Sequence, residues 1–110
     1  MNEQRVKKLE SLILEQASTI LVEELKEIES DFWLINITWA KLSNDLSYLD
    51  IFVNSFKNKE ILTKTIAPYA PNVQRKIYKK IAIRKLPKLR FRYDESWEIS
   101  QDIIKTINNL

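Results

Sequence analysis

A chain of 110 residues with 45% hydrophobic and 30% charged residues has the size and balance of one globular domain, here taken as residues 1–110. It contains no cysteine, histidine or glycine. That excludes disulfides, Ser-His-Asp and Cys-His nucleophiles, Cys- or His-ligated zinc, Walker loops and the Gly-x-x-Gly loops that clamp RNA backbones. The net charge of +3 hides a polarised molecule, because residues 1–50 sum to −5 and residues 51–110 to +8. The first residues lack the apolar stretch of a secretory signal, and no apolar run approaches the roughly 18 residues of a membrane span. A cytosolic (cytoplasmic) protein without a membrane partner is expected.

Residues 5–28 read as a long amphipathic helix. Val6, Leu9, Ile13, Ala17, Leu21, Leu25 and Ile28 recur at steps of three and four, the spacing of one helical face. Its start is basic (Arg5, Lys7, Lys8) and its end acidic (Glu23, Glu24, Glu27, Glu29). The acids oppose the helix dipole and read as a solvated face, with a docking surface as the alternative.

From Trp33 to Lys41 the period changes to two. Trp33, Ile35, Ile37 and Trp39 are expected on one face, with both tryptophans packed in the core rather than stacked on bases. Ser43-Asn44-Asp45 supplies a turn, and a second strand follows over residues 48–56, so the two form an antiparallel hairpin. Leu49, Ile51 and Val53 fall on one face of that strand, Tyr48, Phe52 and Phe56 on the other. In a chain without glycine, left-handed backbone positions pass to Asn or Asp, which singles out Asn44, Asn58 and Asn72.

Residues 58–66 look helical, with Asn58 as the cap, and the run Ala67-Pro68-Tyr69-Ala70-Pro71-Asn72 breaks the pattern. A new helix is expected near Val73, with Val73, Ile77 and Ile81 inward and Arg75, Lys76, Lys79 and Lys80 outward. Pro87 opens a third strand in which Leu89, Phe91 and Tyr93 alternate with Lys88, Arg90 and Arg92. Asp94 and Ser96 begin a final helix carrying Ile99, Ile103, Ile107 and Leu110. The expected fold is α+β, ordered α-β-β-α-kink-α-β-α, with a three-stranded sheet and helices on one face.

Residues 75–92 hold nine Lys or Arg and no acid, inside an acid-free stretch from 61 to 93. So concentrated a field suits a phosphate backbone, because each cation that neutralises a phosphate releases counterions. A merely solvated face is the alternative, though a run that crosses a helix and a strand weakens it. Tyr69 and Tyr78 are the aromatic residues on that side, so backbone and shape recognition are expected more than base stacking.

The element order is that of a type II KH-like domain with an added helix. Within it, Ser43-Asn44-Asp45-Leu46-Ser47-Tyr48-Leu49-Asp50-Ile51-Phe52-Val53 resembles the pattern S-x-D-L-S-x-A-x-V-x-V. Arg84-Lys85-Leu86-Pro87-Lys88-Leu89-Arg90-Phe91-Arg92-Tyr93-Asp94-Glu95-Ser96 resembles R-x-x-P-x-L-x-F-x-x-D-x-S. Both patterns belong to the ribosome-binding factor A family, the bacterial small-subunit maturation factors. The resemblance implies an assembly factor for the immature small ribosomal subunit and its rRNA, acting as a monomer without catalytic residues, metal, cofactor or small-molecule substrate. A generic KH-like RNA-binding module and a protein-interaction adaptor are the alternatives. It also implies an Ala-x-Gly kink between the central helices, which falls here on Ala70-Pro71-Asn72. If the kink holds, Asn72 takes a positive φ; otherwise Pro71 fixes an extended entry and Asn72 caps the next helix. The expected RNA-binding residues are Ala70, Asn72, Arg75, Lys76, Lys79, Lys80, Arg84, Lys85, Lys88, Arg90 and Arg92, with Lys7 and Lys8.

Overall fold

In the computed structural model, which describes residues 3–81 and 87–96, the first apolar stripe forms helix α1 (Glu3–Glu24). It ends four residues before the expected 28. The acidic run leaves no basic residue in the last turn to complement the dipole, and the chain folds back through residues 25–28 into a short helix α2 (Glu29–Phe32). The bend lets Leu25 and Phe32 both enter the core.

Strands β1 (Ile35–Leu42) and β2 (Tyr48–Ser55) form the antiparallel hairpin. The register shifts between Ile37 and Trp39, which leaves Thr38 as the extra residue of a bulge. A bulge inverts the side-chain alternation beyond it. Ile35 and Ile37 face the helices, and after the bulge so do Ala40 and Leu42, while Trp39 turns to the opposite side beside Phe52. Trp33 is outside the strand, at φ 66° and 71% exposed. Both tryptophans expected in the core are therefore at the surface. A simple period of two cannot reveal the inserted residue.

The hairpin loop is held by polar side chains. Asp45 Oδ1 accepts from Ser43 Oγ at 2.9 Å and from the Ser47 amide at 3.0 Å, and the Tyr48 amide donates to Ser43 Oγ at 3.0 Å. Its left-handed residue is Leu46 rather than Asn44. Asn58 does adopt the left-handed conformation (φ 57°), but it makes no side-chain cap. Its Nδ2 instead donates to the Asp31 carbonyl at 2.8 Å, tying the end of the hairpin to α2.

From Asn58 the chain runs through a 3₁₀ turn (Lys59–Ile61), helix α3 (Leu62–Ile66), a second 3₁₀ turn (Ala67–Tyr69) and helix α4 (Ala70–Lys80). The break between the central helices is that tightened turn, and its backbone stays right-handed throughout. Pro68 and Pro71 occupy first-turn positions, where a missing amide costs little. Asn72 lies inside α4 and is absent from the positive-φ residues. Its Oδ1 accepts from Arg75 at 2.6 Å rather than capping the helix, whose N-cap is Tyr69. Both readings of Asn72 are thus corrected: a 3₁₀ turn redirects the chain without any left-handed residue.

Strand β3 (Lys88–Tyr93) pairs parallel with β2, giving the order β1-β2-β3. Helices α1, α3 and α4 all lie on one face. Their buried side chains, including Ile13, Leu21, Leu62, Ile66, Val73 and Ile77, close one core with Leu49, Ile51, Val53 and Leu89. Asp94 Oδ1 accepts the Ser96 amide at 3.0 Å, as expected of a helix start, but the final helix, with Ile99, Ile103, Ile107 and Leu110, lies outside the described residues.

Asn54 of β2 is fully buried, and neither its amide oxygen nor its nitrogen finds a hydrogen-bond partner. An unsatisfied buried amide costs about 1–3 kcal/mol. Asn54→Val, which suits a strand, is expected to raise the denaturant midpoint by the equivalent of about 1 kcal/mol. A drop of that size would mean that the amide makes an interaction in solution that the fold depends on.

Candidate nucleic-acid interface

Helix α4 turns Val73 and Ile77 into the core and leaves Arg75, Lys76, Lys79 and Lys80 exposed. Lys79 and Lys80 lie in its last turn, where positive charge also suits the helix dipole. Lys76 is not a free cation: its Nζ forms an ion pair with Glu24 of α1. One acid at the end of α1 is therefore engaged within the fold, which weakens the idea of an acidic docking surface there.

The same helix flanks the outer edge of β3. Gln74 Oε1 accepts the Leu89 amide at 3.0 Å, covering part of a strand edge that otherwise presents an unpaired donor. The Tyr78 hydroxyl donates to the Pro87 carbonyl at 3.0 Å. Between these anchors, Pro71, Gln74, Arg75, Tyr78 and Lys79 line a shallow cleft. Ala70 is half-buried at the start of α4 and packs on the core, while Asn72 is exposed.

Burial pushes the Tyr78 phenol up to about 12 from 10.0. Below pH 10 the phenol is neutral both folded and unfolded, so the stability associated with this group is fully present. Between pH 10 and 12 the unfolded chain ionises first, and that stability is lost as the pH rises. Tyr78→Phe should flatten this part of the alkaline decline in the denaturant midpoint. An unchanged decline would show that Tyr78 is not the group responsible.

Strand β3 carries its cations on the side of the sheet away from the helices. Arg90 donates to both oxygens of Asp50, at 2.8 and 3.2 Å, and Arg92 Nε lies 3.8 Å from the same carboxylate. The hydrogen bond to Asp50 raises the already high Arg90 pKa further. The Arg90 guanidinium also lies 3.9 Å from the centre of the Tyr48 ring, a cation–π contact. Across strands β1 and β2, the Trp39 and Phe52 rings stack with centroids 4.3 Å apart. The expectation of few aromatics beside the basic surface is thus corrected: Trp39, Tyr48 and Phe52 share this face with Arg90 and Arg92. Asp50 opposite Arg90 and Phe52 opposite Arg92 become visible only once the parallel pairing of β3 with β2 is known.

The structure therefore brings the expected residues together as two surfaces, the outer side of α4 and the side of β3 away from α1, α3 and α4, adjoining along the β3 edge. Lys7 and Lys8 lie far from the Lys76 part of α4. They precede Glu10, whose carboxylate accepts the Leu42 amide at the hairpin end of the sheet. At 1.5 Å per residue they stand roughly 24 Å along α1 from Glu24 and Lys76. Arg84 and Lys85 lie outside the described residues. Among the described residues there is no group of three or more His, Cys, Asp or Glu placed to hold a metal, and no helix long and apolar enough to cross a membrane.

A sequence model of the family described as Ribosome-binding factor A matches residues 5–107. The chain belongs to the ribosome-binding factor A family. A family member from Synechocystis sp. is 30% identical over 109 residues, covering 96% of this chain and 82% of that protein. The fold is that of the crystal structure of ribosome-binding factor A from Thermus thermophilus, with a TM-score of 0.66 at 21% identity over 80% of this chain and 94% of that one. It also resembles a homology model of the Thermus thermophilus ribosome binding factor A as fitted into the cryo-EM map of a 30S–RbfA complex, with a TM-score of 0.58 at 22% identity, covering 76% of this chain and 93% of that one. The KH-like α+β arrangement expected from the sequence, with its three-stranded sheet and one helical face, is thereby borne out. Asn72, on which the resemblance placed the kink, lies inside a helix.

Proposed function

We propose that this chain is an assembly factor that binds the immature small ribosomal subunit during late maturation and contacts its rRNA. The observation that carries the reading is the family match over residues 5–107, supported by a relative fitted into a 30S complex. The basic outer side of α4, with Arg75, Lys79 and Lys80 exposed, gives that role a physical basis in phosphate neutralisation. The protein acts as a cytoplasmic monomer and binds without catalysing a reaction. An independent adaptor role through the acidic end of α1 is disfavoured, because Glu24 is already paired with Lys76.

Gradient fractionation of cell extract tests the reading. The chain should migrate with free small subunits, at low salt, and be depleted from complete ribosomes. Equal distribution across both, or migration at the top of the gradient, would defeat it.

A further inference from the structure

We propose that the face of the sheet that no helix covers among the described residues is a stacking platform for unpaired RNA bases, centred on Trp39 and Phe52. This deepens the proposed function and rests on RNA being the partner. Nothing in the fold requires a tryptophan here. The core lies on the opposite face, and Trp39 reaches this side only because the bulge at Thr38 inverts the strand. With the Phe52 ring stacked on it, Trp39 still exposes 42% of its surface. An aromatic pair held parallel and left open to solvent can extend its stack by one base, whatever that base is, because every base has a π face.

The surroundings favour a nucleic acid over an apolar peptide. Trp39 and Phe52 line a shallow cleft with Lys41, Asn44, Asp50 and Arg92, and Lys88 lies exposed at the start of the adjoining strand. Asp50, the one acid among the described lining residues, is engaged by Arg90 and approached by Arg92, so its charge is offset within the fold. At its margin the exposed Lys41, Lys88 and Arg92 outnumber the acids Asp45, bonded to Ser43, and Asp94, beside Thr38. Arg90 on the ring of Tyr48 adds a second planar group on the same face. A single strand running across β1, β2 and β3 would meet ring faces for its bases and cations for its phosphates.

The test uses the full chain, purified small subunits and a labelled single-stranded RNA of about ten nucleotides, the site length of one small binding fold. Trp39→Leu keeps an apolar side chain but removes the ring, and Trp39→Tyr keeps a ring. Trp39→Leu is expected to weaken oligonucleotide binding about tenfold, and Trp39→Tyr to stay within about threefold of wild type. The loss in Trp39→Leu should be the same at about 0.1 and about 0.4 M salt, because stacking releases no counterions. An unchanged affinity in Trp39→Leu with retained thermal stability overturns the platform. So does a loss of subunit binding without any loss of oligonucleotide binding, which would assign the face to a protein partner. Failure of the wild-type chain to bind subunits while Trp39→Leu loses oligonucleotide affinity defeats the proposed function and leaves the platform standing.

Discussion

Replacing Arg75, Lys79 and Lys80 together with Glu is expected to lower affinity for small-subunit RNA by about a hundredfold or more, at a stability cost of about 1–2 kcal/mol for placing acids in the last turn of α4. All three side chains are exposed on α4, and none of them packs in the core. If each contacts one phosphate, the slope of log affinity against log salt should shrink by about two units, given about 0.7 per contact on a single strand. Lys76 is left in place. A glutamate there would meet Glu24, and the resulting repulsion would mix a folding defect with a binding defect. Wild-type affinity of the triple variant at about 0.15 M salt would reduce this helix face to a solubility feature.

The second large effect concerns stability. Phe32 is 1% exposed and is among the largest fully buried side chains, so Phe32→Ala should cost about 3–5 kcal/mol. Phe91, although on the core side of β3, is only partly buried, and Phe91→Ala should cost roughly half as much. Arg92→Ala, which removes only an exposed and weakly paired cation, should cost well under about 1 kcal/mol. Denaturant unfolding of the three variants orders them. A Phe91→Ala defect as large as that of Phe32→Ala would mean that β3 is buried far more deeply than this structure has it.

Several elements could be read directly from the residues. The stripe through Ile13, Ala17, Leu21 and Leu25, the alternation of Leu49, Ile51 and Val53, and the inward Val73 and Ile77 all face the core as their spacing requires. What escaped the reading came from tertiary structure overriding local pattern. Phe32 reaches the core because α1 stops early and α2 turns back, which no periodicity announces. Trp39 is displaced by a one-residue bulge, and Trp33 by a left-handed backbone that propensity disfavours for so large a side chain. The basic surface was legible as composition but not as geometry. Which of its cations are spoken for depends on Glu24 and Asp50, residues far from them in sequence.

The parallel pairing of β3 with β2 also bears on how the chain is made. The β1–β2 hairpin closes over a short loop and can form early, whereas the other edge of β2 has to wait for a strand that begins only at Lys88. On a nascent chain that edge stays unpaired until β3 has been synthesised, after both central helices. Products that stop before Lys88 would carry an open, apolar strand edge and would be prone to aggregate. The interval before β3 has been made is thus the one in which the chain most needs protection.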